Sequence, residues 1–389
     1  MKASIYTYPW DLADEGLDAA LDNIQHVAGL NDVALATSYH TATYFLPHNP
    51  VRKLYYGEDG MTLFQADPAR YESTAIKPRV SEVVDRPDYL ERQAERIKER
   101  GMSLTAWIVY AYDHYLARKY PDLAQQDALG NRHMSHLCIG APDVRQYFLT
   151  LTEDILERLN PDAVHLESLN FLPFGHGFSN PKVLTPITPW CSFLMGLCMC
   201  DHCIEAASAD GVDGEALRSD VARYLNAELP NLPSQSESVQ PVTPTRLAAA
   251  FGGQLRAFLE VRSGIGSSLF EDVVRTIRSR GDIAVQANHL DQDDEIALGL
   301  SVGRVAPLID QSVTGPIPDA VKPMKRRLTT GAKMIVQASP SAFDSSDALS
   351  DMLTACKRGG AGGFAFYNYG LMRVEHLRWL GQASGLWEE

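Results

Sequence analysis

Long apolar runs are missing from this chain: no stretch of about 18 consecutive apolar residues occurs, so a membrane-spanning helix is not expected. The opening residues, MKASIYTYPWDLADEGLD, carry no apolar leader and no small-residue cleavage site, and a cytoplasmic location is expected. Basic charge is also in short supply. With 35 Lys and Arg against 49 Asp and Glu, the net charge of -14 argues against a nucleic-acid backbone or an anionic membrane as partner. A small neutral or cationic substrate stays compatible with it. Cysteine is sparse: six in 389 residues are too few for the disulfide scaffold of a small secreted domain. No Gly-x-Gly-x-x-Gly follows any apolar run, which weighs against a dinucleotide-binding fold.

What is present is a succession of short apolar runs alternating with helical patterns. Strands are expected at Ser4–Tyr8, Asp32–Ser38, Leu104–Tyr110 and Ala163–Glu167. Four more are expected at Ile283–Ala287, Arg304–Ile309, Lys333–Ala338 and Gly363–Tyr367, although Pro307 is discordant inside the sixth. Between them lie segments such as PDVRQYFLTLTEDILERL, with apolar residues at helical spacing. Eight strands interleaved with helices predict a single α/β domain over 1–389, a closed (β/α)8 TIM barrel. Long insertions are expected after strands two (41–85) and four (170–250). The second holds a cysteine cluster, a helix around Gly214 to Leu229 and the polar linker LPSQSESVQPVTP. Both follow a strand's carboxyl end, so both belong on the catalytic face.

Barrel enzymes carry their chemistry at those strand ends. Here the ends offer Tyr8 and Trp10, Tyr39 and His40, then Tyr112, Asp113 and His114. Glu167 follows, then Asn288 and His289, Asp310, Gln337, and finally Tyr367 and Asn368. Aromatics among amides and carboxylates suit a sugar, since aromatic faces pack on pyranose C–H bonds while polar groups satisfy the hydroxyls. Glycosidic cleavage needs a carboxylic acid to protonate the leaving oxygen and commonly a second carboxylate. Glu167 ends an apolar strand, where burial keeps a carboxyl protonated, and is the expected acid. Asp310, or else Asp113, is the expected partner, each having a plain alternative as a solvated acid or helix cap. His165 shares an inward face with Glu167 and reads as a satisfied core histidine. The remaining strand-end residues are expected to contact a small carbohydrate.

The segments YPDLAQQDALGNRHMSHLCIGAPDVRQY, DAVHLESLNF, LCMCDHC and GGFAFYNYG together resemble the hypothetical glycosyl-hydrolase barrels related to the glycosidase clan with catalytic residues on strands four and seven. The resemblance implies a carbohydrate-active barrel with Glu167 at the strand-four acid position. It departs at strand seven, where KMIVQAS places Gln337 and the clan has a glutamate nucleophile. A neutral amide cannot attack an anomeric carbon. That leaves an inverting enzyme using Asp310 or Asp113, a different nucleophile, or a barrel that binds sugars without cleaving them. A metal-dependent sugar isomerase or lyase is a further alternative, with His40, His114, Asn288, His289 and Asp310 as the ligand pool.

Cys191, Cys198, Cys200 and Cys203 fall close together, with His202 among them. In a reducing compartment such spacing matches a closed structural zinc site, while buried free cysteines of an apolar helix are the plain alternative. No cofactor is expected for catalysis itself.

Overall fold

Every residue of Asp32–Tyr39 is buried, as a strand covered on both faces must be. The same holds for most of seven other short segments, and together they close a parallel barrel in the computed structural model. The strands are β1 (Lys2–Thr7), β2 (Asp32–Tyr39), β3 (Ser103–Val109) and β4 (Ala163–Glu167). β5 (Ala284–Asn288), β6 (Gln311–Thr314), β7 (Lys333–Ala338) and β8 (Gly363–Phe366) complete the ring. Neighbours in sequence pair in parallel throughout, and β8 pairs with β1 to close it. The expected TIM-barrel fold is therefore the observed one. The structure describes residues 1–178, 180–232, 242–290, 292–315 and 332–388.

The sixth strand differs from the sequence expectation. Arg304–Ile309 is not extended: Val302–Val305 is a helical turn and Ala306–Leu308 a 3-10 turn that accommodates Pro307 at its start. The strand itself is the short, more polar Gln311–Thr314, bonded to β5 on one side and β7 on the other.

Side chains alternate across each strand, so one set packs under the outer helices and the other fills the barrel. Inside, bulky Tyr6 and Trp107 face small Ala34, Ala36 and Ala365, an arrangement that leaves space above them. Outside, helices such as Tyr89–Glu99, Pro142–Leu159 and Gln254–Arg278 bury apolar stripes against the strands.

After β2 the chain forms a hairpin, Thr43–Phe45 with Leu54–Tyr56, and Met61–Thr62 pairs antiparallel with β2. A second hairpin, Ala124–Gln126 with Arg132–Leu137, follows β3. After β4 come helices Pro189–Met195, Asp201–Ala209 and Gly214–Glu228. Most of the polar linker LPSQSESVQPVTP lies outside the described residues. Among the described residues no helix is long and apolar enough to cross a membrane.

Candidate active-site cavity at the strand ends

A cavity of about 430 Å³ opens at the carboxyl end of the barrel. Tyr39, Glu167 and Asn288 are the last residues of β2, β4 and β5, Gln337 is the penultimate residue of β7, and Tyr8 and Tyr367 directly follow β1 and β8. All six line the cavity, as does His40. A larger hollow of about 630 Å³ lies between surface helices, bordered by Arg256, Glu260, Glu295 and Arg304, and holds none of these strand-end groups.

Glu167 lies at one wall. Its carboxylate accepts a 2.5 Å hydrogen bond from the Trp107 indole N–H. Burial pushes its pKa above the ordinary glutamate range, and the Trp107 donor offsets only part of that rise. The tyrosines form a hydroxyl triangle: Tyr8 donates to Tyr39 at 2.9 Å, and Tyr367 lies 3.0 Å from Tyr8 and 3.3 Å from Tyr39. Burial raises all three phenol pKa values, so the hydroxyls stay protonated. The arrangement supplies aromatic faces, hydroxyls and amides around one protonatable carboxyl. Among the described residues lining the cavity, Glu167 is the only carboxylate.

Both expected partners of Glu167 are placed elsewhere. Asp310 precedes β6 and so lies at the opposite, amino-terminal end of the barrel. There it accepts from the Val285 N–H at 2.8 Å and faces Arg278 at 3.6 Å. Asp113 caps helix His114–Lys119 by accepting from the Leu116 N–H at 2.7 Å, and burial pushes its pKa up to about 7. It does not line the cavity.

Several expected sugar contacts also sit behind or beside the cavity. Trp10 is fully buried, stacked at 4.5 Å behind the Tyr8 ring, and Asn368 caps a turn by accepting from the Gly370 N–H. Tyr112 donates to the Gly177 carbonyl at 3.3 Å and packs on His40 and His114. His114 is buried. His289 places Nδ1 3.2 Å from the Ser312 hydroxyl. With Asp310 at the far end, the isomerase ligand pool is not brought together.

Seven lining residues were not marked by strand-end position, Tyr6, Trp107, His165 and Tyr44 among them. Tyr6 and His165 lie two residues before Tyr8 and Glu167, so inward alternation along a strand is the signal that finds them. Tyr44 comes from the hairpin after β2 and has no such signal.

The cysteine centre is likewise rearranged. Cys138, Cys198, Cys200 and Cys203 bring their sulfurs within 4.8 Å of one another, all buried. Cys191 is buried outside this group, and Cys138 takes the fourth place. Cys138 follows the hairpin after β3, whereas the other three belong to the insertion after β4, so the cluster joins two loops of the same barrel face. The separations from Cys138 are 3.4 Å to Cys200 and 3.6 Å to Cys203 and Cys198. They approach the edge of about 3.8 Å expected of a tetrahedron with metal–sulfur bonds near 2.3 Å.

No protein-family model and no curated protein matches the chain. Solved structures do share its fold. The glycoside hydrolase domain of PgaB (BpsB) from Bordetella bronchiseptica aligns over 97% of this chain and 98% of that one, with a TM-score of 0.57 and 13% identity. The β-amylase catalytic domain from Paenibacillus polymyxa aligns over 96% and 94%, with a TM-score of 0.54 and 12% identity. α-L-Fucosidase isoenzyme 2 from Paenibacillus thiaminolyticus reaches a TM-score of 0.59 at 12% identity, and this chain spans 49% of its length. The chain thus has the barrel fold of glycoside hydrolase domains, at an identity that speaks for fold alone.

Proposed function

We propose that the protein is a glycoside hydrolase acting on a small glycoside or oligosaccharide, with Glu167 protonating the leaving oxygen. The observation that carries this is Glu167 itself: a carboxyl held above its usual pKa at the end of β4, inside a cavity walled by tyrosines. Tyr39 and Tyr367 offer ring faces and hydroxyls to the sugar, Tyr8 holds those hydroxyls from beneath, and Asn288 and Gln337 offer amides. The barrel fold shared with glycoside hydrolase domains supports the same reading. The test is a panel of nitrophenyl glycosides in both anomeric series, followed by Glu167→Gln on whichever is hydrolysed. Undiminished turnover in that variant would reject the role.

One observation favours a second reading. Gln337 places a neutral amide at the end of β7, which suits a barrel that binds a sugar without cleaving it. Saturable binding by calorimetry, with no product after long incubation, would select that reading over hydrolysis.

We further propose that Cys138, Cys198, Cys200 and Cys203 hold one structural zinc ion, four sulfurs leaving no open position for chemistry. A bound ion would pin the loop after β3 to the insertion after β4. Metal analysis of protein purified without chelator should return about one zinc per chain; a stoichiometry near zero would end the idea.

A further inference from the structure

Below the mouth, the barrel interior is polar in layers. At its base Lys2 pairs with Asp32 at 3.3 Å and donates to Thr105 at 2.8 Å, so those groups satisfy one another. The next layer up holds Tyr6, Trp107 and His165, all lining the cavity from beneath. His165 is only 2% exposed, and β4 places it two residues before Glu167 on the same inward face.

The Tyr6 hydroxyl lies 2.9 Å from His165 Nδ1. A buried phenol must donate its proton, and Nδ1 is the acceptor within reach of Tyr6 among the described residues. Nδ1 therefore accepts, and the proton of the neutral ring sits on Nε2. Burial pushes the His165 pKa down to about 3, so the ring stays neutral across the working range of most enzymes. The Gln286 and Asn288 amides beside the ring are its remaining side-chain hydrogen-bond partners, but neither meets Nε2 in good geometry. A buried donor held this weakly gains from a well-placed acceptor.

We infer that His165 is a sugar-recognition residue at the bottom of the cavity, its Nε2–H donating to a hydroxyl, ring or carbonyl oxygen of the bound sugar while Tyr6 fixes the tautomer. This rests on the carbohydrate reading of the site. A fixed donor favours an oxygen acceptor there over an ammonium group, so neutral sugars are preferred to amino sugars at this position.

The experiment uses the full chain labelled with 15N, whose imidazole nitrogens report tautomer and protonation. The His165 signal is identified by its loss in His165→Gln. It should show the Nε2–H neutral form from pH 5 to pH 8, and Tyr6→Phe should shift it toward the other tautomer. Free D-glucose, D-galactose, D-mannose and L-fucose are then added in turn, with intrinsic tryptophan fluorescence as an independent report of binding. A sugar that quenches the fluorescence should also move the His165 Nε2 resonance. His165→Ala should weaken that sugar about five- to tenfold, and His165→Gln, which keeps an N–H, should weaken it less. An Nδ1–H tautomer overturns the inference whatever binds. Saturable quenching with an unmoved His165 signal overturns it while leaving the carbohydrate reading intact. If no sugar binds and no nitrophenyl glycoside is cleaved, both fall.

Discussion

Replacing Trp107 with Phe removes one hydrogen bond and keeps an aromatic ring, which isolates what holds Glu167 in check. The indole N–H donates to the Glu167 carboxylate at 2.5 Å and is the one influence opposing the rise that burial causes. Hydrogen bonds to charged groups contribute about 1.5–3 kcal/mol. One pH unit corresponds to about 1.4 kcal/mol, so losing this donor should move the titration of Glu167 upward by about one to two pH units. As the proposed acid, Glu167 acts while protonated, so activity should fall as pH rises through its pKa. The alkaline limb of the kcat/KM profile should therefore move to higher pH in Trp107→Phe, whatever happens to the plateau. Stability gives a second report. A carboxyl whose folded pKa lies above its unfolded value contributes most below the unfolded value, and that contribution is lost as pH rises toward the folded one. The loss should extend to higher pH in the variant. The assays are a pH–rate series on the best nitrophenyl glycoside and a carbon-13 titration of the labelled glutamate. An alkaline limb that stays in place or moves down would refute the reasoning, since Trp107 would then not govern the ionisation of Glu167.

Glu167→Gln should lower kcat by about 10²- to 10⁴-fold with an unchanged circular-dichroism spectrum, read on the same substrate. Asp310→Asn should leave turnover intact and cost about 1 kcal/mol in urea denaturation, because the carboxylate accepts from the Val285 N–H at the far end of the barrel. Asp113 rises from 3.8 to about 7 on folding, so stability should decline as pH climbs through that interval. Asp113→Asn should flatten this decline in pH-dependent melting. Cys138→Ser should lose the zinc proposed for the four-cysteine cluster, whereas Cys191→Ser should retain it, as read by elemental analysis of the two purified variants.

Local pattern alone determined most of the barrel. Seven strands stand within about two residues of where apolar runs and flanking helices predict them, and Ala163–Glu167 and Lys333–Ala338 match at both ends. The placement of Glu167 at a strand's carboxyl end was also legible, because alternation and run length are properties of neighbouring residues. The sixth strand was not. Gln311–Thr314 is extended because β5 and β7 bond it from both sides, while the apolar run before it folds into turns around Pro307.

Tertiary structure alone decided which polar groups share a site. Asp310 and Glu167 both adjoin strands, but chain direction sends one to the base of the barrel and the other to its mouth. Cys138 joins Cys198 across a separation of 60 residues, a proximity that spacing within one loop cannot reveal. His165 is core by its sequence and cavity wall by its surroundings, since the small residues across the barrel leave the space above it open. Neighbouring residues set which way a side chain points along its own strand; closure of the ring sets what it meets there.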